Sequence, residues 1–390
     1  MPPKNRELRF NLKTVSEKEF LAMPVKERLP FLDQDMIVRD NGKLIGDHRP
    51  HHFIYSQSFT KEMLYYLCKL ADAIRELRAE MGKNNALWLK ELLPHKRVIG
   101  VFNQASSRTE TSFQGAAQNL GIDVIIKNLK TSSQAKGESW ADTVYTFAVY
   151  ADALFIRHSD PLKLEEAVWV SNQSKKRIPI INAGSGPDSQ PYVYQHPTQM
   201  LLDVFTLWRS FEECGGMAGK IWLFSGDLNA RVVRSLIYAS RHFPPKKIYL
   251  NCPPKRELKP DMVRFLEKRG IPYEYCDSVG DVVDIADVFV FSRIQNEYDK
   301  NSSEKPQPLD DKYVLKWEYL DRLKKSARIL HALPKRDEID PRYDNVSDDF
   351  HQFVYRRYQM KNGEWMRTAI FAYLFGVDKK ILDYYAEQAG

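Results

Sequence analysis

Cysteine is scarce in this chain: Cys68, Cys214, Cys252 and Cys276 are spread over 390 residues with no CxxC pair. That spacing excludes a disulfide framework and a cysteine zinc site, and reads as reduced thiols in a cytoplasmic protein. Long apolar runs are missing too. None approaches the ~20 residues that a membrane-spanning helix needs, so no membrane partner is expected. The start, Met1-Pro2-Pro3-Lys4-Asn5-Arg6, has no apolar stretch behind its charges, so it is not expected to be a secretory signal. Internal repeats, low-complexity tracts and long basic runs are also absent. The net charge of +7 is spread over 58 basic and 51 acidic residues that interleave along the chain. A surplus so diffuse is no nucleic-acid footprint, and it suits an enzyme with small anionic substrates.

What is present is a globular composition, 43% hydrophobic and 28% charged, on a chain long enough for two domains with separate cores. Residues 1–52 read as a polar N-terminal extension, packed on the surface or partly disordered. Asp47, His48, His51 and His52 crowd its end. A proline-containing loop without cysteine is a poor metal scaffold, so no metal is expected there. From Phe59, the spacing of Met63, Leu64, Leu67, Leu70, Ala71, Ile74 and Leu77 predicts an amphipathic helix.

Short apolar runs at 98–102, 124–126, 153–156 and 178–181 then alternate with helical stretches. After a long helix beginning near Thr198, the alternation resumes with 221–224, 248–250, 288–291 and 329–330. Alternation of this kind means parallel sheets covered on both faces. Two such series joined by one helix predict an α/β fold of two doubly wound domains with a cleft between them. Segments 186–194 and 300–312 read as loops, and a final helix runs from about 364 to 385.

Three motifs carry chemistry. The first is Ser106-Ser107-Arg108-Thr109, between the apolar run ending at Phe102 and a stretch with helical spacing (Phe113, Ala116, Ala117, Leu120). A strand that ends in hydroxyl residues and opens a helix is an anion site, and Arg108 shapes it for phosphate. Read alone, the motif is equally a capped helix with a surface arginine. The second is His196-Pro197-Thr198-Gln199, and the third is His331-Ala332-Leu333-Pro334 followed by Asp337-Glu338-Ile339.

In this order the three motifs resemble the aspartate/ornithine carbamoyltransferase family, from about Phe59 to the last helix. The resemblance implies a long helix joining the two doubly wound parallel-sheet domains, and a C-terminal helix that returns to the first. Residues 53–200 with 355–390 would bind carbamoyl phosphate and 201–354 the amino acid. Carbamoyl transfer is attack of an amine on the carbonyl of carbamoyl phosphate, and arginines, a histidine and hydroxyls suffice for it without cofactor or metal. Ser106, Ser107, Arg108 and Thr109 would hold the phosphate. Thr109, Arg157 and His196 would polarise the carbonyl oxygen, while Gln199 and the Leu333 carbonyl would bind the carbamoyl NH2. Segment 132–143 resembles a mobile loop in which Ser132 and Lys136 reach the site of a neighbouring subunit, which implies a homotrimer with shared sites.

Arg231, Arg293 and Gln295 match the side that binds aspartate, and two arginines suit a dicarboxylate. The Ser-Met-Gly motif that ornithine enzymes use is absent. L-Aspartate is therefore the expected second substrate. Gln104, Glu110, Ala332 and Tyr298 depart from the family's usual residues, which puts domain closure in doubt and leaves regulatory subunits unassigned. Gln104, Glu110 and the 186–194 insert keep open a carbamoyltransferase for ornithine or an N-acylated ornithine, and a non-catalytic paralogue is the second alternative.

Overall fold

The computed structural model describes residues 17–24, 27–28, 51–104, 106–129, 137–174, 176–186, 194–294, 309–345 and 354–390. A short helix, α1 (Glu17–Ala22), comes first. Its Phe20 is fully buried and stacks on Trp169 with ring centroids 5.9 Å apart. The Arg28 guanidinium pairs with the buried Glu165 carboxylate, which also accepts from the Tyr55 hydroxyl. This part of the extension is built into the first core.

Helix α2 (Lys61–Ala79) begins where the Thr60 hydroxyl accepts the Met63 N–H at 3.1 Å. It buries the stripe expected from the sequence, Met63 to Leu77 at intervals of three and four. After α3 (Lys83–Lys90) follow β1 (Arg97–Phe102), α4 (Ser107–Asn119), β2 (Asp123–Asn128), α5 (Trp140–Tyr150), β3 (Ala153–His158), α6 (Leu162–Gln173) and β4 (Ile180–Ser185). The strands pair in parallel in the order β2-β1-β3-β4, and Phe53 adds a single parallel bridge at Ile181.

Helix α7 (Pro197–Phe211) joins the two halves, with proline in its first turn where a missing N–H costs nothing. It buries Met200, Leu201, Leu202, Val204, Phe205, Leu207 and Phe211, residues from all round the helix, because structure encloses it. The second half contains β5 (Ile221–Gly226), α8 (Arg231–Ser240), β6 (Lys247–Asn251), α9 (Pro260–Lys268), β7 (Tyr273–Tyr275), β8 (Val288–Ser292) and β9 (Arg328–His331). All five strands pair in parallel, in the order β7-β6-β5-β8-β9. Strand β7 escapes the sequence reading because Tyr273-Glu274-Tyr275 is a short edge strand without an apolar run.

The final helix expected over about 364–385 is two helices, α10 (Met360–Leu374) and α11 (Asp378–Ala389). Gly376 at φ +76° makes the break, and the Val377 N–H closes back on the Ala372 carbonyl at 3.0 Å. Helix α10 packs on α4, α2 and α7, so the chain does return to the first domain. Among the described residues, no helix is long and apolar enough to cross a membrane.

Each sheet reverses its strand order once, between β1 and β3 and between β5 and β8. At such a switch point the following helices leave on opposite faces, so the carboxyl ends of the two strands open a crevice. The segments after β1, β5 and β8 and the end of β3 are therefore the fold's binding positions. They carry the first motif, Arg231, Arg293 and Arg157.

Candidate active site

Arg157 sits on β3 in register with Phe102, the last residue of β1. The Asn103 N–H donates to the Arg157 carbonyl at 2.8 Å, which keeps the two strand ends together as the chain turns into α4. Ser106 is the N-cap of α4, yet its hydroxyl makes no capping bond. The partial positive charge of the first turn is thus left available beside exposed Ser107 and Arg108 and buried Thr109. Glu110 lies in the same turn, and its N–H donates to the Ser106 carbonyl at 2.9 Å.

The Arg157 guanidinium reaches the Ala183 carbonyl with Nη1 at 3.4 Å. Gly184 makes this possible. Its φ is +114°, and a Cβ there would lie 2.7 Å from Arg157 Nη1, 3.2 Å from His196 Cδ2 and 3.4 Å from His196 Nε2. Guanidinium and imidazole therefore converge over one bare stretch of backbone. His196 is the N-cap of α7; its backbone N–H donates to Ser235 Oγ at 2.9 Å, and Thr198 Oγ1 lies 3.4 Å from its Nδ1. Burial pushes its pKa well below the usual imidazole value, and the guanidinium groups of Arg231, Arg157 and Arg367 push it further. The ring is neutral at pH 7, so it offers one N–H donor without adding charge.

Arg231 opens α8 at the switch point of the second sheet and reaches across to the first. Its Nη1 lies 3.3 Å from Gln104 Oε1 and 3.3 Å from the Gly186 carbonyl, to which Gln104 Nε2 also donates at 3.1 Å. The amide of Gln104 steers Arg231 without cancelling its charge, as a carboxylate in that place would. Arg293 follows β8, half-buried, and the next N–H, of Ile294, donates to Glu338 Oε1 at 3.3 Å. Leu333 follows β9 at φ +55°, before a cis bond to Pro334, and its N–H donates to His331 Nδ1 at 2.7 Å. Gln199 lies in the first turn of α7 with Nε2 2.9 Å from Asp203 Oδ1.

Those of the expected site residues that are described thus fall at one end of the two sheets, and Arg157, His196 and Arg231 come together there. Ser132, Lys136, Gln295 and Tyr298 lie outside the described residues. Of the histidine cluster, Asp47 and His48 lie outside the described residues, and His52 has a structural use. His52 Nδ1 accepts the Ile180 N–H at 3.0 Å and its Nε2 lies 3.1 Å from Asn172 Oδ1. Among the described residues, no group of three His, Cys, Asp or Glu is placed to hold a metal.

Three buried polar residues beside the site went unassigned in the sequence: Asp203, Gln359 and Arg367. Arg367 lies over the Phe113 ring, 4.9 Å from its centroid, and burial lowers its pKa to about 10 against the attraction of Asp203. The available signal was a charged residue inside an apolar run, as in Leu201-Leu202-Asp203-Val204-Phe205.

Residues 51–209 match the family model described as aspartate/ornithine carbamoyltransferase, carbamoyl-P binding domain, and residues 218–374 match the Asp/Orn binding domain of the same family. The chain is 34% identical over 290 residues to an aspartate carbamoyltransferase catalytic subunit of Sulfurisphaera tokodaii, covering 74% of this chain and 88% of that one. It is 31% identical over 387 residues to the multifunctional protein CAD of Squalus acanthias, covering 93% of this chain but only 16% of that much longer protein. The solved structure of Trypanosoma cruzi aspartate transcarbamoylase with carbamoyl aspartate and phosphate is similar at a TM-score of 0.68 and 27% identity, covering 82% of this chain and 94% of that one. Both halves of the fold fall within these matches: the chain belongs to the aspartate/ornithine carbamoyltransferase family.

Proposed function

We propose that this chain transfers the carbamoyl group of carbamoyl phosphate to the amine of L-aspartate, giving N-carbamoyl-aspartate and phosphate for pyrimidine synthesis. The observation that carries this reading is the meeting of Arg157 and His196 over Gly184, with Arg231 arriving from the other sheet. The Trypanosoma cruzi neighbour, solved with carbamoyl aspartate and phosphate, supports it.

Ser106, Ser107, Arg108 and Thr109 hold the phosphate at the N-terminus of α4. As the amine attacks, negative charge grows on the carbonyl oxygen, where Thr109, Arg157 and the N–H of His196 stabilise it. A neutral His196 does this as a hydrogen-bond donor, with no proton to exchange. Gln199 and the Leu333 carbonyl accept from the carbamoyl NH2. The C–N bond forms, the C–O bond to phosphate breaks, and the amine proton leaves with the phosphate. Arg231 and Arg293, with Gln295, pair with the two carboxylates of aspartate, whereas the side-chain ammonium of ornithine would meet two guanidinium groups.

In this reading 53–200 with 355–390 bind carbamoyl phosphate and 201–354 bind aspartate. Ser132 and Lys136 come from a neighbouring chain, so the working unit is a closed homotrimer. Tyr145, Val149 and Tyr150, exposed on α5 directly after that segment, offer an apolar face for the contact. Four free cysteines accord with a reducing, cytoplasmic setting. Steady-state formation of N-carbamoyl-aspartate, with ornithine and N-acetylornithine as control amines, tests the proposal. Turnover with aspartate alone is expected; turnover with a control amine only, or with none, overturns it.

A further inference from the structure

One buried carboxylate beside the site has no part in the mechanism above. Asp203 lies one turn beyond Gln199 on α7 and is only 4% exposed. Its Oδ1 accepts from Gln199 Nε2 at 2.9 Å and from Gln359 Nε2 at 2.6 Å. The Oε1 of Gln359 in turn accepts the His331 N–H at 3.0 Å, and His331 Nδ1 accepts the Leu333 N–H at 2.7 Å. A continuous chain of hydrogen bonds therefore runs from Gln199, on the helix joining the domains, to the Leu333 turn beyond the last strand of the second sheet.

This chain has a direction that chemistry fixes. A carboxylate has only acceptors, so an amide beside it must turn its NH2 inward and its oxygen away. Asp203 imposes that choice on both glutamines at once. The inward NH2 of Gln199 leaves its Oε1 facing outward as an acceptor. The inward NH2 of Gln359 leaves its Oε1 for the His331 N–H, which anchors the strand end next to Leu333. An amide free to turn over would present a donor half the time, and a donor repels an NH2 group.

We propose that Asp203 is a positioning residue that sets substrate specificity: through Gln199 and Gln359 it orients two acceptors, the Gln199 amide oxygen and the Leu333 carbonyl, so that the site selects an acyl phosphate bearing NH2. The proposal rests on the reading of the site as a carbamoyl-phosphate site. Burial raises the Asp203 carboxyl to about 7, with the two glutamine amides and Arg367 on α10 holding it down. At pH 8 it is ionised and accepts from both amides.

Acetyl phosphate is the probe, because it replaces the carbamoyl NH2 by a methyl group of similar size and leaves both acceptors unpaired. The measured quantity is the ratio of the inhibition constant of acetyl phosphate to the KM of carbamoyl phosphate at pH 8, on the whole protein. Wild type is expected to favour carbamoyl phosphate strongly. Asp203→Ala is expected to lower the ratio about tenfold, the worth of one buried hydrogen bond. Asp203→Asn keeps an acceptor oxygen toward both glutamines and is expected to hold the ratio within about twofold of wild type.

An unchanged ratio in Asp203→Ala overturns the proposal, as does an Asn variant that falls as far as Ala. A loss of turnover with an unchanged ratio means a structural role only, and also overturns it. If Asp203→Ala does not fold, Gln359→Met and Gln199→Met decide, each cutting one of the two branches from Asp203: a ratio lowered in both supports the proposal, and a ratio unchanged in either refutes it. A wild type that makes no N-carbamoyl-aspartate fails the parent reading instead, which separates the two failures.

Discussion

Replacing Gly184 by alanine perturbs the site with a single methyl group. At φ +114° an L residue is strained whatever surrounds it, at a cost of about 1–3 kcal/mol. The new Cβ would also lie 2.7 Å from Arg157 Nη1 and 3.2 Å from His196 Cδ2. Comfortable contact begins near ~3.5 Å, so the guanidinium must retreat by roughly 0.8 Å. A shift of about 1 Å in a catalytic contact costs on the order of 100-fold in rate, or about 2.7 kcal/mol of transition-state stabilisation. Gly376→Ala is the control, because Gly376 also has a positive φ, +76°, but nothing lies within 4 Å of a Cβ there. Urea unfolding measures the strain, and steady-state kcat/KM at a temperature where both variants are folded measures the site. Both variants are expected to lose stability, and only Gly184→Ala is expected to lose about 100-fold in kcat/KM. A folded Gly184→Ala with wild-type kcat/KM would show that the convergence of Arg157 and His196 does nothing for the reaction.

Arg108→Ala should lower kcat by about 10²–10³-fold without changing the urea midpoint; near-normal turnover would remove Arg108 from the phosphate site. Mixing inactive Lys136→Ala chains with inactive Arg108→Ala chains should restore part of the activity, and no recovery in verified mixed trimers contradicts shared sites. His52 is fully buried, and burial holds its pKa down to about 3. The unfolded chain takes up that proton below about pH 6.5 and the folded chain does not, so stability is complete above 6.5 and falls as pH drops toward 3. The slope is about 1.4 kcal/mol per pH unit for this group. His52→Gln should flatten the fall in urea midpoint between pH 6.5 and 5.5, and a parallel fall in the variant would contradict the assignment.

Much of the fold was readable because parallel strands buried on both faces announce themselves as short β-branched runs, as in Val98-Ile99-Gly100-Val101-Phe102. The exceptions have local causes. Tyr273-Glu274-Tyr275 pairs on one edge only and carries no such run. The break at Gly376 is a backbone event inside a pattern that otherwise reads as one helix. Phe20 and Arg28 lie in a polar stretch whose few apolar residues give no period, although each finds a buried partner.

In the site, the residues proposed to hold small anions are legible as motifs because hydroxyls, arginine and helix N-termini recur together for one physical reason. Gln104 was legible only as a departure; that its amide meets Arg231 depends on how the two domains face each other, which no local pattern encodes. Asp203 is 156 residues from Gln359 and further still from Arg367, so only their three-dimensional meeting gives them meaning.

In the proposed reaction the site is divided between the sheets: Arg157 would act on the carbamoyl group from the first, Arg231 on aspartate from the second. Kinetics of Arg157→Ala and Arg231→Ala, measured side by side with both substrates varied, test that division most directly. Arg157→Ala is expected to lose about 10²-fold or more in kcat with little change in the KM for aspartate. Arg231→Ala is expected to raise the KM for aspartate while carbamoyl phosphate still binds as in wild type. An Arg231→Ala variant that loses carbamoyl phosphate binding, or keeps a wild-type KM for aspartate, would contradict it.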